Sequence, residues 1–330
     1  MRSSISDFNL DSQRDDNKES IDFPYFYNQK GEVPIWDNPT VNGGIRRPSV
    51  YKPTTTLSGV ITNIQRGYFK EDDLTLLKVL GDSMCSNENQ LRRYMSRKMS
   101  ASKVSQKLKR FREQGLADRW TILNDLQPEY KPPAPWTIGV SGYTLLKHIN
   151  NMDFVMAPER WNSIKAIQRF VAMNEIRCQL AEQRVLRNWV WNAVIANNPH
   201  LTRPLGVAEV ETPSGRINFV IERVQQAKDF YTFLDNKLQK WVPVYDKFKF
   251  FPIKRMNENQ TIVVLYCSTK TLAQEIQKSL QLHKYPYTIW LCVEENLMDS
   301  GIGKGFYLPT EKGLKRIDLG FLDKVEPLEQ

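Results

Sequence analysis

The sequence predicts a mixed α/β (α+β) protein: an N-terminal winged helix-turn-helix followed by a three-layer α/β domain. Three observations carry this expectation. Residues 71–149 read as three helices, two strands and a closing helix, with a dense positive charge. Residues 203–293 alternate strand and helix patterns and include two apolar runs, TIVVLYC (261–267) and YTIWLCV (287–293), that suit strands buried on both faces. At 330 residues and 41% hydrophobic content, the chain is long enough for two domains with real cores. The expected divisions are an extended arm over 1–66, the winged helix over 67–150, the α/β domain over 160–300 and a tail over 301–330.

The arm comes first. Its opening twenty residues are polar and charged, as in a mobile segment. Residues 22–36 (DFPYFYNQKGEVPIW) are aromatic and broken by proline, as in a strap laid on a folded surface. Residues 43–52 (GGIRRPSVYK) are basic and cannot be helical; a minor-groove arm and a plain linker both fit.

The next stretch carries three helices. Leu74, Leu77 and Leu80 recur at helical spacing over 71–81, with Glu71, Asp72 and Asp73 in the first turn, where they complement the helix dipole. Asn87 is an N-cap for a second helix through Met95, and Gln90 completes a capping box. Ser100 or Ser102 starts a third helix that runs to Gln114 and stops at Gly115, with Val104, Leu108 and Phe111 as its inner stripe. Residues 116–123 and 136–140 read as two strands joined by a proline-rich tip (127–135), and a short helix through Ile149 follows. These parts in this order predict a winged helix-turn-helix.

A long helical segment is then expected over 161–197, with a break near 181–183. A hairpin of strands at 203–211 and 216–224 follows, turning at 213–215. A helix spans 227–248, where Pro243 should kink it or end it early. Next come the strand 261–267, an amphipathic helix 270–283 and the strand 287–293. The tail reads as a surface loop with an edge strand.

Charge gives the functional expectation. Between residues 91 and 119 stand ten basic residues and two acids, a net +8 against +9 for the whole chain. A charge this local is a footprint for a polyanion, and double-stranded DNA is the commonest one. The outward face of the third helix mixes charge with short hydrogen-bonding groups, as major-groove reading requires. The expected DNA contacts are Ser102, Lys103, Gln106, Lys107, Lys109 and Arg110 on that helix, with Arg92, Arg93 and Arg97 on the flanking backbone.

Other classes are set aside on composition. No stretch reaches the roughly 18 consecutive apolar residues that span a bilayer. The N-terminal residues lack the apolar core of a secretory signal. Cys85, Cys178, Cys267 and Cys292 are far apart, as free buried thiols of a cytoplasmic protein would be. His148, His200 and His283 share no ligand spacing, so neither a metal nor another cofactor is expected. The loop GIGKG (301–305) lacks the spacing of a phosphate-binding loop.

Several of these segments together resemble the replication-relaxation family of bacterial plasmid and mobile-element proteins. They are DDLTLLKVLGD, KRFREQGL, SGYTLLKHI, FVAMNEIRCQLAEQ, FVIERVQQAKDFYTFLDNKLQKWVPVYD and TIVVLYCSTKTLAQEIQKSL. The resemblance covers about residues 66–295. It implies a bacterial DNA-binding protein in plasmid replication, relaxation, conjugation or their regulation. A relaxase or replication initiator is the implied partner, and the second domain would dimerise or dock it.

It also implies a restriction-endonuclease-like second domain. Activity in that fold needs an acid at one strand's start and an acid and a lysine two apart on the next, with two carboxylates holding Mg²⁺. Here Glu222 lies on the second strand, but Val224 stands two residues on, and Leu205 occupies the place of the first acid. Glu209 and Glu211 share a face nearby. The expectation is therefore a non-enzymatic scaffold without catalytic residues. Two alternatives stand beside it: a metal-dependent nuclease using Glu209, Glu211 and Glu222, and a transcriptional repressor that responds to a ligand.

Overall fold

The computed structural model describes residues 26–54, 56–124, 131–148 and 156–323. It is mixed α/β with two sheets. The N-terminal unit contains β1 (Asn42–Ile45), α1 (Leu57–Gln65), α2 (Glu71–Asp82), β2 (Cys85–Asn87), α3 (Glu88–Met95), α4 (Ala101–Glu113), β3 (Ala117–Leu123), β4 (Pro135–Ile138) and α5 (Val140–His148). Its four strands pair antiparallel in the order β1-β3-β4-β2.

The ends of these helices are set locally. Asp73 accepts the Lys70 amide at 2.8 Å and caps α2. Asn87 and Gln90 cap α3 reciprocally, at 2.9 and 3.1 Å. At the end of α4, Gly115 is left-handed (φ 67°). There the Leu116 amide reaches the Phe111 carbonyl and the Gly115 amide the Arg112 carbonyl, a Schellman motif. Leu76, Leu77, Leu80, Leu91, Val104, Leu108 and Phe111 close one core between the helices and the sheet.

The second unit contains α6 (Ile164–Glu182), β5 (Leu186–Trp191), β6 (Gly206–Thr212), β7 (Gly215–Arg223), α7 (Phe230–Phe248), β8 (Gln260–Cys267), α8 (Lys270–Leu280), β9 (Ile289–Val293), α9 (Glu294–Ser300), β10 (Phe306–Thr310) and β11 (Gly313–Arg316). They form a seven-stranded sheet, β11-β10-β9-β8-β7-β6-β5, in which β7, β8 and β9 are parallel and the other pairs antiparallel. Strand alternation divides its core. Ala208, Phe219, Ile221 and Val264 face α6, while Val207, Val220, Val263 and Leu265 face α7 and α8. Among the described residues no helix is long and apolar enough to cross a membrane. All four cysteines are free and buried.

The structure corrects several boundaries. Residues expected in an extended arm include β1 and α1, and the start of the 43–52 stretch, through Ile45, is not a plain linker but part of β1, which pairs with β3. The opening twenty residues lie outside the described ones. Residues 186–191 form β5 rather than the second half of a helix. Arg184 adopts a left-handed turn (φ 58°), and the aromatic and branched run LRNWVW then pairs with β6. Helix α7 passes through Pro243 without ending, because Leu234, Leu238 and Trp241 bury its preceding turns. The tail forms a hairpin, β10–β11, rather than one edge strand. The start of the wing tip, 127–130, lies outside the described residues together with 125–126, as does the connection over 149–155.

Candidate nucleic-acid interface

Helix α4 buries Val104, Leu108 and Phe111, as its spacing predicts, and so turns Ser102, Gln106 and Lys109 outward in one stripe. The structure separates the basic residues around it into two sets. In the first set, each cation meets a carboxylate. Lys107 Nζ and Arg110 Nη2 both reach Asp73 Oδ1 at 2.5 Å, and Asp73 is 1% exposed. Burial alone would raise the Asp73 pKa; Lys107, the Lys70 amide and Arg110 together hold it below its ordinary value. Arg92 pairs with Glu88 at 2.6 Å and donates to Ser105 Oγ at 2.7 Å, which ties α3 to α4.

Arg93 is withdrawn from any DNA-facing surface. Its guanidinium bridges Glu175 (2.7 Å) and Glu182 (2.5 Å) on α6, joining the two units. Asn174 strengthens this joint by donating to the carbonyls of Ser83 (2.6 Å) and Cys85 (2.8 Å). Lys103 approaches Asp72 at 3.6 Å with both side chains exposed, a contact of little energetic weight. Of the expected DNA contacts, Ser102, Lys103, Gln106, Lys109 and Arg97 thus stay on the surface. Lys107 and Arg110 are tied to Asp73.

The second set was missed in the expected contacts. Strand β1 adds to the outer edge of β3, and beyond its end the Arg46 amide donates to the Arg119 carbonyl at 2.9 Å. Arg112, near the end of α4, donates its Nε to the Arg46 carbonyl at 2.8 Å. Arg46, Arg112 and Arg119 therefore cluster where the helix meets the sheet. Among the described residues none has a carboxylate within the 4.0 Å of an ion pair. Burial and the repulsion of Arg119 and Arg46 push the Arg112 pKa down. Arg46 and Arg119, with Lys131, also line a groove of about 440 Å³ along β3.

A sequence signal for β1 was present at Gly43. A Cβ there would stand 2.2 Å from the Thr121 carbonyl oxygen, so only glycine admits so close a strand.

The carboxylates weighed for metal chemistry do not converge. Glu209 stands opposite Asn218, four residues along β7 from Glu222, or roughly 13 Å at strand rise. Glu209 accepts from Asn257 (2.6 Å) and Asn259 (3.0 Å), and Glu211 pairs with Arg187. Glu222 is buried between Lys237 (2.7 Å) and Arg169 (2.6 Å) and also accepts the Leu205 amide at 3.0 Å. Burial alone would raise its pKa, but the two cations hold it below the ordinary value. A lysine does reach Glu222, but from α7, where spacing along the strand could not reveal it. Among the described residues no group of three His, Cys, Asp or Glu side chains is placed to hold a metal ion. In the GIGKG loop, the Gly303 amide donates to the chain's own Asp323 at 3.0 Å.

No protein-family model, curated protein or solved structure matches this chain.

Proposed function

We propose that this chain is a non-enzymatic, cytoplasmic DNA-binding protein in which residues 57–148 act as a winged helix-turn-helix. Helix α4 reads the major groove, β3 and β4 form the wing, and β1 widens the wing with a strand from the N-terminal segment. The second unit, with a restriction-endonuclease-like layout, serves as a dimerisation or docking scaffold. A relaxase or replication initiator of a bacterial plasmid or mobile element is the expected partner.

One observation carries this reading. Among the described residues, Arg46, Arg112 and Arg119 sit together without a carboxylate partner and extend the exposed stripe Ser102, Gln106 and Lys109. Like charges placed side by side oppose folding. A polyanion that neutralises them turns that cost into affinity, while the polar stripe stands where base edges would be read. The non-enzymatic part of the proposal is supported by Glu222, whose carboxylate is occupied by two cations rather than left open.

The test is a salt titration of binding by the full chain to duplex DNA from its own locus and to random duplex, read by fluorescence anisotropy. The expected result is tighter binding to the cognate duplex, with log affinity falling against log salt at a slope of roughly −4 to −5, about 0.9 per neutralised phosphate. A parallel set with Mg²⁺ or Mn²⁺ should leave the DNA intact. Weak, salt-insensitive binding would overturn the DNA reading, and cut DNA would overturn the non-enzymatic one.

A further inference from the structure

The N-terminal segment does more than reach β1. Over 26–41 it crosses the ends of β7 and β8, with Phe26 packed in the core under α7 and Ile35 in the core under α6. Two residues after Ile35, Asp37 turns inward and is 2% exposed. Its carboxylate accepts three hydrogen bonds: from the Gln226 amide (2.9 Å), from Gln226 Nε2 (3.0 Å) and from Ser268 Oγ (2.5 Å). Gln226 follows β7 and Ser268 follows β8, so the donors come from the carboxyl ends of two parallel strands. In open α/β sheets this is where ligands are bound.

A cation completes the arrangement. Arg223, the last residue of β7, has a fully buried side chain stacked 4.7 Å above the Tyr266 ring. One end of its guanidinium approaches Glu294 at 2.7 Å, while Nε and Nη1 have no hydrogen-bond partner among the described residues. A buried guanidinium with unfilled donors is costly, and an oxyanion is the group that fills them. Burial pushes the Asp37 pKa up, and Arg223 and the three hydrogen-bond donors lower it only in part. The strap's carboxylate is therefore held at some cost.

We propose that Arg223, Gln226 and Ser268 form a binding site for a small oxyanion, a carboxylate or a phosphate, and that Asp37 is the built-in occupant of its Gln226 and Ser268 half. An external anion competes with Asp37 and releases the strap. The inference rests on the strap and the strand ends alone and stands apart from the DNA reading.

Chemical rescue tests it directly. In the full chain, Asp37→Ala empties the site and leaves its donors unsatisfied. Sodium acetate and sodium phosphate should raise the melting temperature of Asp37→Ala by several degrees more than sodium chloride at equal ionic strength. Wild type should show only the smaller, general stabilisation that such anions give any folded protein, and adding Arg223→Met should reduce the variant's response to that level. The larger of the two anion responses identifies carboxylate or phosphate as the preferred class.

Asp37→Asn keeps the shape and removes the charge, which covers the case of an alanine variant that does not fold. Calorimetric titration with inorganic phosphate and with acetate should give at least one anion binding about tenfold or more tighter in Asp37→Asn than in wild type, because a neutral amide competes for the donors less well than a carboxylate. An Asp37→Ala gain over chloride no larger than that of wild type, or equal affinities in Asp37→Asn and wild type, would overturn the proposal.

Discussion

The basic residues around α4 fall into two regions that look alike in sequence and differ in what they do. On the inner side Arg92, Arg93, Lys107 and Arg110 meet Glu88, Glu175, Glu182 and Asp73, all of which lie outside the 91–119 window. On the outer side Lys109, Arg112 and Arg119, joined by Arg46, have no such partners among the described residues. A count of charge along the chain cannot separate the two. The inner set ties helices together and supports the fold; the outer set, in the proposed reading, meets DNA. The teaching is that a footprint is defined by the cations left over after folding, not by those present in the sequence.

Four variants break or sharpen this contrast. The largest effect should come from Asp73→Ala, which removes a cap from α2 and leaves Lys107 and Arg110 unpaired. A loss of about 3 kcal/mol in urea unfolding is expected; the nearly buried Lys107 accounts for most of it, since the more exposed Arg110 is screened by solvent. Next, combining Arg46→Ala, Arg112→Ala and Arg119→Ala should weaken duplex binding about a hundredfold at moderate salt and reduce the salt slope by roughly three, with the unfolding midpoint little changed. Lys109→Ala alone should cost roughly tenfold in affinity, measured by the same anisotropy assay, and leave stability as it was.

The smallest effect concerns Asp118, a carboxylate beside the outer set. Burial pushes its pKa up to about 6, and Arg47 offsets this only in part. An acid whose folded pKa is raised binds its proton more tightly in the folded state. Stability therefore falls as pH rises from about 4 to about 6 and is flat above. Asp118→Asn should remove that fall and gain about 1 kcal/mol at neutral pH once solvent screening is allowed for. Thermal unfolding of both proteins across this pH range would show whether the two curves diverge as described.

Much of the fold was legible because local rules and tertiary structure agree there. The spacing in α2 and α4, the Asn87–Gln90 capping box, the stop at Gly115 and the apolar runs of β8 and β9 all stand as the pattern predicts. The failures lie where tertiary context decides. Strand β1 reads NGGI, which has little strand propensity, and exists because β3 offers an edge. Strand β2 is three residues long and is held at a corner where Met84 is left-handed (φ 63°).

The site was legible only in part for the same reason. Glu175 answers Arg93 from 82 residues away and Asp73 answers Lys107 from 34, distances at which spacing carries no information. Arg112 and Arg119 belonged to the counted charge, yet their clustering with a third arginine emerges only once β1 brings Arg46 beside them.

The most direct measurement compares two double variants that remove the same charge. Arg112→Ala with Arg119→Ala strips the outer set, and Arg93→Ala with Lys107→Ala strips the inner one. Salt-titrated anisotropy on one cognate duplex, run beside thermal unfolding, reads both. The outer pair should flatten the salt slope by about two with an unchanged melting temperature. The inner pair should lower the melting temperature and leave the slope of the folded fraction close to wild type. Equal flattening in both would mean that DNA responds to net charge alone, and would contradict the division between the cations that hold the fold and those that meet DNA.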